Sequence, residues 1–127
     1  MLFFDFSKYI KSLDDKDFIL VYSYPLRIRD KDEINNIKEF SKRSNKKLIS
    51  IGSFYDWCDD MVSPHPFEVL SYFISADYII TDTFHGTLLS LKYNKQFITI
   101  IRNSNQTKLR HLLHFMNLAH LYLYENL

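Results

Sequence analysis

Residues 76–101, ADYIITDTFHGTLLSLKYNKQFITII, run from an apolar stretch through a polar turn with one glycine into a mixed stretch and then a second apolar run. This pattern predicts strand, turn, helix, strand. Because the turn at residues 82–86 opens a helix, its first amides have no partner inside the helix and point outward with the positive end of the helix dipole. An anion fits such a turn. The chain has only two glycines, Gly52 and Gly86. Each follows a predicted strand, where left-handed dihedrals or close backbone approach would be useful.

The flanking sequence extends the same alternation. Residues 18–24, FILVYSY, form a nearly continuous apolar run that suits a strand covered on both faces, and Pro25 closes it. From Asp30 onward Ile34, Ile37 and Phe40 recur among polar residues, which predicts an amphipathic helix with acidic residues in its first turn. Lys42, Arg43, Lys46 and Lys47 crowd its end and read as solvated partners of the helix dipole. Residues 47–52, KLISIG, predict a second strand, and the aromatic, acidic loop SFYDWCDDMVSPHP is too polar and proline-marked to continue it. A helix over residues 67–76 follows, with Ser63, Pro64 and Pro66 as start signals. Strands at 78–81 and 97–101 and helices at 87–93 and 106–117 complete the order βαβαβαβα.

Such alternation predicts an α/β fold: a Rossmann-like parallel sheet of about four or five strands, with helices on both faces, in one domain spanning residues 1–127. Ligands of these sheets bind beyond the carboxyl ends of the strands. That rim gathers the loops at residues 25–29, 52–55, 82–86 and 102–105. The first seventeen residues, with Phe3, Phe4, Phe6, Tyr9 and Ile10, read as an apolar lead-in that packs on the domain or on a neighbour.

Composition narrows the function classes. A hydrophobic fraction of 46% supplies a core for 127 residues, so disorder is not expected. A formal net charge of +1 lacks the basic footprint of a nucleic-acid binder. The single Cys58 cannot form an internal disulfide, and no basic-then-apolar leader opens the chain, which together predict a cytoplasmic protein. No apolar run is long enough to predict a membrane span.

His85 is the candidate catalytic residue, because an imidazole between a helix-start hydroxyl and Gly86 could donate to an anion or exchange a proton near neutral pH. Thr83 and Thr87 could cap the helix or touch the ligand, and Asp82 could orient His85 or bind a turn amide. Phe84 is expected to pack under the turn. Arg102, directly after the last predicted strand, could neutralise a phosphate or carboxylate, as could Lys108 and Arg110 near the next helix start. Gly52 and Ser53 are binding candidates by their place on the same rim. His111 and His114 stand three apart on one helix but lack the further ligands of a zinc site, and Asp56, Asp59 and Asp60 lack EF-hand spacing. Neither metal nor cofactor is expected. No Walker loop, dinucleotide-binding glycine fingerprint or nucleophile-elbow pattern is present.

The segment AD-YIITD-TFHGT-LLS-L followed by KQF resembles the polysaccharide pyruvyl transferase family, whose usual run is close to AD-hydrophobic-ITDSFHGT and then KPF. FILVYSYP, PFEVLSYFISAD and SNQTKLRHLLHFMNL are similar to the strand, the helix and the basic helix that surround that signature. Thr83 stands in place of its serine, Gln96 in place of its proline and Leu89 where phenylalanine is common. The resemblance implies half of a two-domain architecture of the GT-B glycosyltransferase kind. It also implies transfer of pyruvate from phosphoenolpyruvate to a sugar of a surface polysaccharide as a ketal. By the same resemblance His85 would contact the donor, and Lys108 would take the place of a family basic residue. The chain resembles only the family's C-terminal, donor-binding half, so activity is expected to need an N-terminal acceptor half, as a partner chain, or self-association. Two other readings stay open: a non-catalytic remnant or interaction module, and the donor half of a sugar-nucleotide glycosyltransferase.

Overall fold

The structure, a computed structural model, describes residues 16–102, 106–115 and 122–124. Most of the N-terminal lead-in, residues 103–105 and the expected end of the last helix lie outside the described residues. Among the described residues six strands, β1 (Phe18–Tyr22), β2 (Lys47–Ile51), β3 (Asp60–Val62), β4 (Tyr78–Thr81), β5 (Phe97–Ile101) and β6 (Tyr122–Tyr124), form one sheet in the order β3-β2-β1-β4-β5-β6. Every neighbouring pair is parallel. This is a Rossmann-like α/β fold. Its strand order reverses between β1 and β4, and the crevice at such a switch point is where doubly wound sheets take their ligands.

Among the described residues four helices cover the sheet: α1 (Lys31–Ser44), α2 (Pro66–Ser75), α3 (Phe84–Lys92) and α4 (Gln106–Phe115). The two-residue period of the strands sorts their side chains into two cores. Phe18, Leu20, Ile49, Ile51, Ile79, Phe97 and Ile101 join Phe73 of α2 and Leu109 of α4, with Leu89 and Leu91 of α3 packed alongside. Ile19, Val21, Leu48, Ile80 and Ile100 face the other way and join Ile37 of α1 together with Tyr55 and Cys58. A strand buried on both faces must be apolar throughout, which is why FILVY carries no polar interruption.

Local chemistry sets the helix ends. Asp30 caps α1 by accepting from the amides of Asp32 and Glu33 at 2.8 and 3.0 Å. Asn45, at φ 55°, ends the helix in the left-handed region that asparagine tolerates. The basic residues near that end divide: Lys42 and Arg43 lie in the last turn, whereas Lys46 pairs with Asp77 at 3.0 Å and Lys47 with Asp60 at 3.2 Å.

Two short strands add to the four read from the sequence. The first, β3, lies inside the loop read as irregular. It is an edge strand paired on one side through Ile49–Asp60, Ser50–Met61 and Ile51–Val62, so polar residues are tolerated. The second, β6, pairs with β5 at the opposite edge. No helix connects β2 to β3. Instead, Tyr55 and Cys58 are buried where a crossover helix would pack, and the amide of Leu48 donates to Asp59 at 2.7 Å. One boundary also moved, since α2 is capped by His65 rather than Ser63, whereas α3 begins at Phe84, directly after its Thr83 cap. Among the described residues no helix is long and apolar enough to cross a membrane.

Burial pushes the Cys58 thiol up to about 12, against a hydrogen bond with Ser50 that lowers it and the charges of Asp59 and Asp56 that raise it further. The folded chain therefore holds this proton more tightly than the unfolded chain does. The resulting stabilisation is whole below the unfolded thiol's pKa of 9.0 and is lost as the pH rises toward about 12. We expect iodoacetamide to leave the native thiol unmodified at pH 8 and to alkylate it rapidly in urea, with mass spectrometry as the readout. Comparable alkylation in both conditions would contradict this burial.

Candidate functional site

Hydroxyl groups build the end of β4. Thr81 is fully buried, and its Oγ1 donates to the Tyr22 carbonyl at 2.7 Å, joining β4 to β1 at the switch point. The same oxygen accepts from the Thr83 amide at 3.1 Å and lies 3.0 Å from Thr83 Oγ1. Since the one proton of Thr81 is committed to Tyr22, Thr83 donates in that contact. Thr83 also caps α3, its Oγ1 accepting from the Gly86 amide at 2.8 Å. One turn later Thr87 Oγ1 donates to the Thr83 carbonyl at 2.8 Å and sits 3.0 Å from Thr99 of β5, while Ser90 donates to the Gly86 carbonyl at 2.7 Å. A chain of short side chains thus fixes the first two turns of α3 against β4 and β5.

The two glycines serve different needs. Gly52 has φ +81°, the left-handed conformation that only glycine adopts cheaply. Gly86 has no such dihedral. It is needed because a Cβ there would lie 2.2 Å from Thr81 Oγ1 and 2.7 Å from Thr83 Oγ1.

With Thr83, Gly86 and Thr87 buried, the signature turn presents Phe84 and His85 outward. His85 is exposed in the first turn of α3, beyond the carboxyl end of β4 and beside the switch point. The Phe84 ring meets the imidazole edge-on at a centroid distance of 6.1 Å. Phe84 is half-buried, packs partly on the core, and borders an open groove of about 700 Å³ with Lys108, His111, Leu112 and His114. Lys108 is therefore near the signature turn. Among the described residues no group of three or more His, Cys, Asp or Glu is arranged to hold a metal.

Asp82 and Arg102 meet below the rim. Arg102 Nε donates to Asp82 Oδ2 at 2.8 Å, and its Nη1 and Nη2 donate to the two carboxylate oxygens of Glu33 at 3.2 and 2.7 Å. The Asp82 side chain is 0% exposed and that of Arg102 7%, whereas that of Glu33 is 21% exposed. Burial pulls the guanidinium pKa down, but the hydrogen bonds to Glu33 and Asp82 outweigh it and hold Arg102 above its ordinary range. The sequence placed Arg102 on the rim but did not show Glu33, which read only as a dipole partner in the first turn of α1. A carboxylate 69 residues away in sequence leaves no local signal.

The remaining rim candidates lie across β1. Ser53 Oγ donates to the Ser23 carbonyl, Tyr55 Oη donates to the Tyr24 carbonyl at 2.8 Å and accepts from the Ile28 amide at 3.1 Å. These bonds tie the loops after β1 and β2 together. Gly52 and Ser53 thus shape the neighbouring loop, at two strand spacings from β4, roughly 10 Å.

Comparison with known proteins agrees with the signature. The family model described as Polysaccharide pyruvyl transferase matches residues 4–105, a span that contains the whole signature turn and Arg102 and ends before α4. No curated protein and no solved structure matches the chain.

Proposed function

The chain belongs to the polysaccharide pyruvyl transferase family, and from that premise we propose that this domain binds phosphoenolpyruvate and delivers its pyruvyl group to a sugar of a surface polysaccharide. The observation that carries this reading is the position of His85. The imidazole is exposed at the switch-point rim, on a helix start whose backbone is held by buried hydroxyls. An anionic phosphate there meets the positive end of α3 and an imidazole that can donate.

In the proposed reaction two sugar hydroxyl oxygens bond to the enol carbon, the C–O bond to phosphate breaks, and the methylene carbon gains a proton to become methyl. Of the two protons released by the sugar hydroxyls, one balances that methyl and the other leaves with phosphate. His85 serves as the group that passes a proton to the methylene carbon or to the departing phosphate. Phe84 walls the imidazole, and Lys108 adds positive charge along the adjoining groove. Asp82, Thr83, Gly86 and Thr87 hold the turn; Gly52 and Ser53 shape the next loop.

An open rim excludes little water and cannot orient a sugar, two effects that supply much of the rate in such transfers. We therefore place the acceptor glycan on a complementary half or partner chain that closes over this rim, in the cytoplasm. Calorimetric titration of the chain with phosphoenolpyruvate tests the donor site. Saturable binding is expected at millimolar or lower donor, with His85→Ala weakening it at least about tenfold, the loss of one charge-assisted contact. Absence of binding would favour a non-catalytic module, and preference for a nucleotide sugar in the same titration would favour a glycosyltransferase half.

A further inference from the structure

We propose that the outward fork of Arg102 is a seat for the carboxylate of the ligand, and that Glu33 is its intramolecular occupant in the unliganded chain. The proposal rests on the donor reading above and extends it to a second anionic contact.

Arg102 has two unlike sides. Its Nε faces Asp82, whose carboxylate is wholly buried at the end of β4, so that contact fixes the guanidinium plane. Its Nη1 and Nη2 face Glu33 in a two-pronged contact, at 3.2 and 2.7 Å. A parallel pair of N–H donors on a planar fork is the geometry that recognises carboxylates in general. The group in that geometry here is a carboxylate already, so the fork accepts one in this orientation.

Glu33 is also the member of the trio best able to leave. Its side chain is 21% exposed, against 7% for Arg102 and 0% for Asp82, so it can swing to water while Asp82 keeps the guanidinium in place. It stands in the first turn of α1, where the amide of Glu33 is held by Asp30, so the backbone need not move when the side chain does. The seat follows β5 directly, beside the β4 turn that carries His85, because Asp82 is the residue between β4 and the Thr83 cap. Phosphoenolpyruvate carries two anionic groups. One contact at the α3 start and one at the Arg102 fork would fix its orientation, which a single contact could not.

Charge bookkeeping agrees with an exchangeable occupant. The Arg102 guanidinium faces the carboxylates of both Asp82 and Glu33. An incoming carboxylate that displaces Glu33 leaves the local charge at the fork unchanged and releases Glu33 to solvent. Without that release, the incoming carboxylate would meet the Glu33 charge at the fork.

The sign of one measurement separates this role from a structural clamp. A seat occupied in the apo state lowers apparent affinity in proportion to the fraction of molecules in which it is open. Glu33→Gln, which keeps an acceptor for Arg102 but removes the competing charge, and Glu33→Ala, which empties the fork, should each bind phosphoenolpyruvate more tightly than the wild type, by about tenfold for the alanine variant. Pyruvate, which offers a carboxylate and no phosphate, should gain as well. Thermal melts of the same samples establish that each variant is folded at the assay temperature. Unchanged or weaker binding by folded variants would overturn the proposal and make Glu33 a clamp, and so would unfolding of both, which would make the pair a requirement of the fold. Tighter binding in Glu33→Ala that persists in the Glu33→Ala, His85→Ala double variant would support the seat while removing His85 from donor recognition. Failure of the wild type and both Glu33 variants to bind either compound would overturn the donor reading and the seat together.

Discussion

Arg102→Met will lower the stability of the folded chain by about 3–5 kcal/mol, the usual consequence of removing one partner from a buried ion pair. Melting followed by circular dichroism should register this as a fall of roughly 10 °C or more for a domain of this size. Methionine approximates the volume and flexibility of the arginine stem, so the loss comes from charge and hydrogen bonds rather than from a cavity. Asp82 loses the guanidinium at 2.8 Å while its side chain stays at 0% exposure, and its buried carboxylate must then stay charged without that counter-charge or take up a proton. Adding Asp82→Asn to the same variant should recover much of the loss, because an amide is far easier to bury than a carboxylate without its counter-charge. The two substitutions should therefore be strongly non-additive. Equal losses that simply sum would mean that the pair is not coupled. Glu33→Gln should be much milder than Arg102→Met, since the half of the trio that Glu33 occupies lies nearer to water.

Gly86→Ala is expected to be nearly as damaging, at about 3 kcal/mol, toward the upper end for overpacking a closed site. On a helix surface this substitution would usually stabilise, since alanine is the better helix former by about 1 kcal/mol. Here the sign reverses, because the new methyl would lie 2.2 Å from Thr81 Oγ1 and 2.9 Å from Thr81 Cβ. Neither atom can yield freely. Thr81 Oγ1 is held by the Tyr22 carbonyl, the Thr83 amide and the Thr83 hydroxyl, so moving it disturbs the stitch between β1 and β4 as well as the cap of α3. The helix start must instead lift away from the strand, carrying His85 with it. Stability and donor affinity should consequently fall together, as shown by chemical denaturation and by titration of the same preparation. A stable Gly86→Ala protein with undiminished donor binding would show that α3 can move away from β4 at little cost.

Both variants probe contacts between strands and helices that no local run of residues encodes. The signature turn was readable because its information is local: Thr83, His85 and Gly86 lie within four positions, and a cap, an exposed imidazole and a small residue each follow from the chemistry of a helix start. The glycine illustrates the limit. Either left-handed dihedrals or close approach explained it, and only the distance to Thr81 shows that close approach is the reason at Gly86, whereas Gly52 has the positive φ. Arg102 was placed correctly after β5, yet its partners were invisible, because ion pairs across a sheet depend on which strands become neighbours. The short strands β3 and β6 carry no such signal, because three residues hold too little periodicity.

Taken alone, the order of residues determined the α/β class, the central strands, the helix-opening turn and the family, since each rests on patterns a few residues long or on a contiguous signature. Three-dimensional packing alone decided that β4 would lie against β1, and with that choice it set the switch point, the Thr81 stitch and the meeting of Glu33, Asp82 and Arg102. The reason is physical: strands buried on both faces are apolar everywhere and so nearly interchangeable in pattern. Their neighbours are selected by helix packing and connection geometry, which act only when the whole chain is assembled.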